Sequence, residues 1–169
     1  MELNISLSQL KTDNEVYKNW PFRTRYLRRE CWDAMKKIIL EHNITSALEF
    51  GSGLSTILMN NLGLDIVSYE TDPVYLRKIK SFNLANVDFR LWDNNEVEIE
   101  GYFGIALVDG IIPRTRQLHY AQLHSRYIAI DDFNDFNSNE GLEPMLSKYT
   151  RLDDGKNKLA IFRRFNSGT

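Results

Sequence analysis

The chain has 169 residues, 43% of them hydrophobic, which fits one globular domain with a buried core. Its net charge of −2 gives no general attraction to nucleic acid, and its single cysteine, Cys31, excludes an internal disulfide and a cysteine-based metal site. No apolar run approaches the ~20 residues that span a bilayer, and the first residues lack the pattern of a signal peptide. We therefore expect a soluble, cytoplasmic protein that binds neither a membrane nor nucleic acid.

The N-terminal part of the sequence predicts a polar segment followed by a long helix. Residues 1–23 are polar but contain Tyr17, Trp20 and Phe22, which either cover a pocket as a lid or dock on the core. From there to Asn43, apolar residues recur every three or four positions, as on one face of a helix. Arginines crowd the start of this helix, where its dipole disfavours cations, and they form either a solvated face or a contact for an anion. They are Arg23, Arg25, Arg28 and Arg29.

Strand and helix patterns then alternate. Strands are predicted at 46–50, 65–69, 86–91, 103–108 and 126–130, and helices at 55–62, from Pro73 onward and at 116–123. Two further strands, near 149–152 and 159–165, flank an Asp-Asp-Gly-Lys turn and predict a closing hairpin. This order predicts an α/β fold in a single domain of residues 1–169: a Rossmann-like, doubly wound, mostly parallel sheet with a C-terminal antiparallel hairpin. Such sheets bind ligands beyond the carboxyl ends of their strands.

The predicted strand ends carry residues suited to an adenosine-containing ligand. Gly51 and Gly53 follow the first strand, where the backbone can approach a ligand and the next helix offers free N–H groups. Glu70 ends the second strand, about where a carboxylate binds both hydroxyls of an adenosine ribose. Trp92 and Asp93 follow the third strand, where an aromatic ring and a carboxylate can hold adenine.

Residues 46–132 resemble the class I S-adenosylmethionine-dependent methyltransferases. Residues 49–56, Glu-Phe-Gly-Ser-Gly-Leu-Ser-Thr, are similar to the first motif of that family, and Val-Asp-Gly at 108–110 is similar to its fourth-strand motif. Ser55 stands where the family often has glycine, and His-Ser-Arg at 124–126 replaces a glycine turn. The resemblance implies that S-adenosylmethionine is the cofactor. It implies binding by Glu49, Gly51, Ser52, Gly53, Ser55, Thr56, Glu70, Trp92, Asp93 and Asp109.

Other nucleotide ligands fit the loop less well. A dinucleotide fingerprint requires a third glycine, and the sixth position here is Thr56. Glu49 would also repel a diphosphate, whereas it suits the ammonium group of a methionine moiety. A P-loop is excluded because no Gly-Lys-Ser/Thr follows the glycines.

Three carboxylates follow the fourth and fifth predicted strands: Asp109, Asp131 and Asp132. If they converge, their mutual repulsion needs an ion, an arginine partner or a raised pKa. Mg²⁺ accepts carboxylate oxygens, and metal-dependent small-molecule and sugar O-methyltransferases show a similar arrangement, so the hypothesis is a Mg²⁺ site formed by the three acids. The alternative is that they cap strand ends or pair with arginines such as Arg114 and Arg116.

Methyl transfer to a hydroxyl needs a group that removes its proton. Asp109 and His119 are the catalytic candidates, although a lone histidine is more often a surface or satisfied core residue. The sequence lacks the Asn/Asp-Pro-Pro-Tyr pattern of nucleic-acid amino methyltransferases. Adenine or cytosine methylation therefore loses support, and the resemblance implies O-methylation of a small molecule or sugar. The alternative is a cofactor-binding module without methyl transfer, and assembly into a homo-oligomer is left open.

Overall fold

The structure is a computed structural model that describes residues 12–22, 27–93, 96–111, 113–153 and 158–165. Within these ranges, seven strands form one sheet: β1 (Ser46–Phe50), β2 (Asp65–Glu70), β3 (Val87–Leu91), β4 (Phe103–Val108), β5 (Ser125–Ile130), β6 (Tyr149–Arg151) and β7 (Ala160–Arg164). The α-helices are α1 (Asp13–Asn19), α2 (Arg29–Glu41), α3 (Leu54–Asn61), α4 (Pro73–Lys80), α5 (Arg114–His124) and α6 (Phe133–Glu140). A 3₁₀ helix spans Glu143–Leu146. No helix in the described ranges is long and apolar enough to cross a membrane.

The strand order is β3-β2-β1-β4-β5-β7-β6. Strands β1 to β5 pair in parallel, whereas β7 runs antiparallel to both β5 and β6. The first five strands have the order of a Rossmann fold, and the hairpin extends the sheet so that β7 lies between β5 and β6. The predicted fold class, with its closing hairpin, is confirmed. Most of the predicted hairpin turn, residues 154–157, lies outside the described residues.

Alternate side chains of the central strands pack into two hydrophobic cores, one on each face of the sheet. In β4, Ile105 and Leu107 belong to the core shared with α2 and α3, whereas Ala106 and Val108 belong to the core shared with α5. Burial on both faces explains why residues 103–108 form an unbroken apolar run. The predicted bounds of this strand are the observed ones.

The N-terminal segment contains a helix, α1, that the sequence did not predict. The Thr12 hydroxyl accepts a hydrogen bond from the Glu15 amide at 3.3 Å, and the Glu15 carboxylate accepts one from the Thr12 amide at 3.0 Å, which forms a capping box. Val16 is buried in the core, and Asp13 accepts a hydrogen bond from Trp32 Nε1 at 2.9 Å. The helix is held by these contacts, because seven residues are too few for a clear periodic pattern.

The aromatic residues of this segment dock on the core. The Phe22 ring lies 5.0 Å from the Tyr75 ring, and the Trp20 ring lies 6.3 Å from the Phe82 ring, both edge-on. None of residues 12–22 lines the cavity described below, so docking describes them better than a lid. Residues 1–11 and Arg23, the remainder of the predicted lid, lie outside the described residues together with Arg25.

Helices α2 and α6 differ from the prediction. The long helix predicted from about residue 23 to Asn43 is α2, which begins only at Arg29, because Arg28 has the extended backbone of an N-cap. Helix α6 occupies residues for which no element was predicted, since its Asn, Asp and Ser residues are typical of turns. Its position is fixed by Phe133, which is buried with its ring 5.3 Å from that of Phe162.

Candidate active site

A cavity of about 350 Å³ opens at the carboxyl ends of β1, β2, β4 and β5. Its position is the one where open parallel sheets bind ligands, because the chain leaves β1 and β4 in opposite directions there. Its volume lies in the range of small-molecule sites, about 300–1,000 Å³. The predicted site residues that line it are Gly51, Ser52, Gly53, Ser55, Glu70, Trp92, Asp109, Asp131 and Asp132.

The loop between β1 and α3 brings main chain to the wall of the cavity. Gly51 has a φ of +98°, and a Cβ atom there would lie 2.9 Å from backbone atoms of Asp109 and Gly110. Both the conformation and the space therefore require glycine. Gly53 has an extended φ of −175°, and its N–H donates to Thr56 Oγ1 at 2.8 Å as α3 begins.

Glu49 lies behind this loop and is not among the residues that line the cavity. Its fully buried carboxylate accepts hydrogen bonds from the hydroxyls of Ser55 at 2.5 Å, Thr56 at 2.5 Å and Ser68 at 2.6 Å. Burial raises the pKa of Glu49 to about 7, although the three hydroxyls act in the opposite direction. This position does not favour the direct contact with a cofactor that the sequence indicated, because Glu49 is connected to the cavity through Ser55 and, by way of Ser68, through Ser52.

Glu70 is held by hydrogen bonds to one of its two carboxylate oxygens. The amides of Thr71 and Asp72 donate to Oε1 at 2.8 Å and 2.9 Å. Oε2 accepts no hydrogen bond from the described residues, and Glu70 lines the cavity. The arrangement leaves a buried, oriented acceptor at the end of β2, which is the geometry needed to bind neighbouring hydroxyls.

Trp92 and Asp93 occupy different surroundings. Trp92 is buried, lines the cavity and packs against the rings of Phe50 at 5.4 Å and Tyr69 at 6.2 Å. Asp93 is exposed and does not line the cavity. The aromatic part of the predicted adenine site is therefore at the cavity, whereas a contact with Asp93 stays a prediction.

Asp109 and Asp131 lie side by side because the last residues of β4 and β5, Val108 and Ile130, are register partners. Burial raises the pKa of Asp109, and the charge of Asp131 raises it further. Arg114 opposes this effect, with its Nη2 atom 3.3 Å from Asp109 Oδ1. Asp109 and Asp131 line one side of the cavity, which we call its acid end, and the Arg114 guanidinium lies against Asp109 there.

Asp132 has other partners. It precedes α6 in a left-handed conformation with a φ of +50°. Its Oδ1 atom lies 3.4 Å from Arg28 Nη2 and 3.5 Å from Lys158 Nζ, so two partly exposed cations compensate its charge.

The predicted Mg²⁺ site is not supported. Across the described ranges, no group of three or more His, Cys, Asp and Glu side chains is arranged to hold a metal ion. The physical reason is that Asp109 pairs with Arg114, while Asp132 pairs with cations of its own. Pairing with arginine, the alternative interpretation, is the arrangement observed. The guanidinium of Arg116 lies 5.5 Å from the centre of the Trp92 ring.

His119 is exposed on α5 and does not line the cavity, so its position does not favour the predicted role as a base. Gln117, from the same helix, was missed by the sequence analysis. It is buried, lines the cavity and accepts a hydrogen bond from the Gly110 amide at 3.1 Å. The sequence did contain a signal for Gln117. It lies one turn into α5, the helix that follows the loop after β4, and ligands bind at that end of the sheet.

The sequence matches no protein-family model, and no similar sequence was found among curated proteins. Solved structures do resemble the chain. The O-methyltransferase TomG from Streptomyces achromogenes, in complex with S-adenosylmethionine, is 12% identical, with a TM-score of 0.66 over 96% of this chain and 91% of that one. An O-methyltransferase from Bacillus cereus, in complex with S-adenosylhomocysteine, is 15% identical, with a TM-score of 0.66 over 92% of each chain. A Podospora anserina methyltransferase bound to S-adenosylhomocysteine is 15% identical, with a TM-score of 0.65 over 95% of this chain and 88% of that one.

The fold is that of the S-adenosylmethionine-dependent methyltransferases. The family resemblance of residues 46–132 is thereby confirmed at the level of fold. Within this methyltransferase fold, the glycine loop, Glu70, Trp92 and the two neighbouring acids all lie at one cavity.

Proposed function

We propose that this protein is an S-adenosylmethionine-dependent methyltransferase that acts on a hydroxyl group of a small molecule or sugar. The observation that carries the proposal is one cavity, in a methyltransferase fold, where a glycine loop, an oriented carboxylate and two neighbouring acids meet, Asp131 buried and Asp109 partly buried. Two of the similar structures are named O-methyltransferases and contain S-adenosylmethionine or S-adenosylhomocysteine, which supports the same cofactor and reaction class.

The proposed position of the cofactor follows the strand ends. Residues 51–53, which line the cavity, would hold the methionine moiety. Glu70 Oε2, which accepts no hydrogen bond from the described parts of the chain, would accept hydrogen bonds from the ribose hydroxyls. Trp92 would pack near the adenine. Each contact uses a group that is already held in place, which limits the entropy lost on binding.

The acid end of the cavity is the proposed acceptor side. S-adenosylmethionine supplies a methyl group on a sulfonium, so the S–C bond breaks as the O–C bond forms. The hydroxyl proton passes to a carboxylate, and Asp109 is the proposed base, with Asp131 beside it. Burial favours the protonated form of both, so either carboxyl can hold the proton after transfer.

The mouth of the cavity supports an acceptor with an apolar part. Ile111 is 78% exposed and lines the cavity, next to Asp109 and Gly110. Leu27 contributes a second apolar surface to the same cavity. An acceptor that carries a hydroxyl on an apolar ring would cover Ile111 while placing the hydroxyl near the acids.

Calorimetric titration with S-adenosylhomocysteine tests the cofactor assignment. Glu70→Gln should weaken binding by about 10- to 100-fold, because a hydrogen bond to a charged acceptor contributes about 1.5–3 kcal/mol. Glu41→Gln is the matched control, since Glu41 is exposed at the end of α2 and should leave the affinity unchanged. Binding of NADH in place of S-adenosylhomocysteine would refute the proposal.

Methyl transfer is tested separately with a panel of hydroxylated aromatic compounds and sugars, by measuring release of S-adenosylhomocysteine. Turnover of at least one acceptor is the expected result. Tight cofactor binding without turnover of any acceptor would favour the alternative, a binding module without methyl transfer.

A further inference from the structure

We infer that Arg114 is the permanent counter-ion of Asp109 and Asp131, so that methyl transfer by this protein needs no divalent cation. The inference rests on the proposed function, since it concerns the acid end of the same cavity. The metal-dependent enzymes that the sequence resembles would place a cation among the acids after β4 and β5, whereas here Asp109 pairs with Arg114, and Asp132 pairs with Arg28.

Arg114 is fixed behind the carboxylates by the fold itself. It is the first residue of α5, and its side chain is 4% exposed. One face of the guanidinium packs on Phe136, with the carbon atom 4.3 Å from the ring centre, while Nη2 reaches Asp109 Oδ1 at 3.3 Å. Asp131 lies beside Asp109, because Val108 and Ile130 are register partners, so the same positive charge acts on both acids. It opposes the rise of both pKa values, and Arg28 acts on Asp131 in the same direction.

The burial of this guanidinium lowers stability unless its charge is compensated. Its Nε and Nη1 atoms are buried and have no hydrogen-bond partner in the structure as described. Unsatisfied buried donors are unfavourable, and an apolar side chain of similar size would pack on Phe136 without that penalty. The attraction that offsets the penalty comes from two carboxylates at the end of β4 and β5. Arg114 therefore contributes charge more than packing.

A divalent cation does not fit the same place. Mg²⁺ and Mn²⁺ need several oxygens in close coordination, and the guanidinium already lies against Asp109 Oδ1. A metal ion there would face the positive charge of Arg114 at short range. Asp132, the third predicted ligand, lies between Arg28 and Lys158, and no ligand group of three exists within the described ranges.

The test measures Mn²⁺ binding by calorimetry on the full chain with S-adenosylhomocysteine bound, and methyl transfer in EDTA. The wild type should bind no Mn²⁺ up to about 1 mM and keep its full rate in EDTA. Arg114→Gln should bind Mn²⁺ below ~1 mM, because it removes the guanidinium that lies against Asp109 and leaves the charge of two neighbouring carboxylates less compensated. Arg126→Gln, which removes an exposed arginine of β5, is the matched control and should bind none. Arg114→Lys keeps the charge and should also bind none.

Each outcome decides the inference. Mn²⁺ binding by the wild type, or loss of methyl transfer in EDTA, overturns it and leaves the proposed function standing. Absence of Mn²⁺ binding by an Arg114→Gln protein that still binds S-adenosylhomocysteine also counts against it, because the acids then do not depend on Arg114. If that variant does not fold, the wild-type titration and the EDTA assay decide alone. Failure of the wild type to bind S-adenosylhomocysteine is a failure of the proposed function instead.

Discussion

Replacing Glu49 by glutamine should change how the stability of this protein depends on pH. The carboxylate is fully buried and accepts hydrogen bonds from Ser55, Thr56 and Ser68, so two effects compete. Burial disfavours the charged form, whereas three hydroxyl donors favour it. Burial prevails, and the pKa rises from its ordinary value of 4.5 to about 7. Glutamine keeps the shape and one acceptor oxygen but cannot titrate.

The size of the effect follows from that rise. The folded protein binds the Glu49 proton more tightly than the unfolded chain does, so this stabilising contribution is complete below the unfolded pKa and is lost as pH rises to about 7. Such a difference in pKa corresponds to about 3 kcal/mol. Between about pH 4 and about pH 8, the wild type should therefore lose about 3 kcal/mol of unfolding free energy relative to Glu49→Gln.

Urea unfolding of both proteins across this pH range measures the difference. Asp109 and Asp131 also have raised pKa values, but they are present in both proteins, so their contributions cancel apart from the effect of the Glu49 charge on the pKa of Asp109. A difference that stays constant with pH would refute the reasoning. A difference of the opposite sign would show that the three hydroxyls outweigh burial and that Glu49 is ionised throughout.

Three further substitutions test the geometry of the cavity. Gly51→Ala should lower stability by more than Gly63→Ala and weaken S-adenosylhomocysteine binding about tenfold or more, because both glycines have positive φ but only a Cβ at Gly51 meets backbone at 2.9 Å. Urea unfolding and calorimetry of the two variants make that comparison. Asp109→Asn should reduce kcat by about 10²–10⁴ if Asp109 is the base, as measured by S-adenosylhomocysteine release. His119→Gln should leave kcat unchanged in the same assay, because His119 is exposed away from the cavity, and a large loss would contradict that placement.

The sequence predicted those parts of the molecule whose local residue pattern is set directly by their position in the fold. Residues 103–108 are apolar because both faces of β4 are buried, so the pattern defined the strand completely. Gly51 was recognisable from the sequence because a backbone with positive φ in a tight loop favours glycine. Glu70 was placed correctly at the cavity because strand ends in a parallel sheet share one edge.

The parts that the sequence did not predict depend on partners distant in the chain. Helix α6 has only two apolar residues, Phe133 and Phe136, and Phe133 holds it against Phe162 of β7, a contact that no local pattern reveals. Glu49 looks like a ligand contact in a motif, but the hydroxyl of Ser68 in β2 helps to hold it behind the loop. Whether Asp109 binds a metal or an arginine depends on where the Arg114 side chain points. The five-residue spacing between the two does not determine that.

The position of β7 affects how the chain folds during synthesis. Strand β6 is made before β7 but pairs with the sheet only through it, as the strand order shows. Until residues 160–164 have left the ribosome, β5 presents an open edge of unpaired N–H and C=O groups, and β6 has no neighbour. Open edges of apolar strands invite association with other chains. The emerging polypeptide is therefore most vulnerable to aggregation while the segment between β5 and β7 is being made, when the five parallel strands exist but β7 does not yet cover the edge of β5.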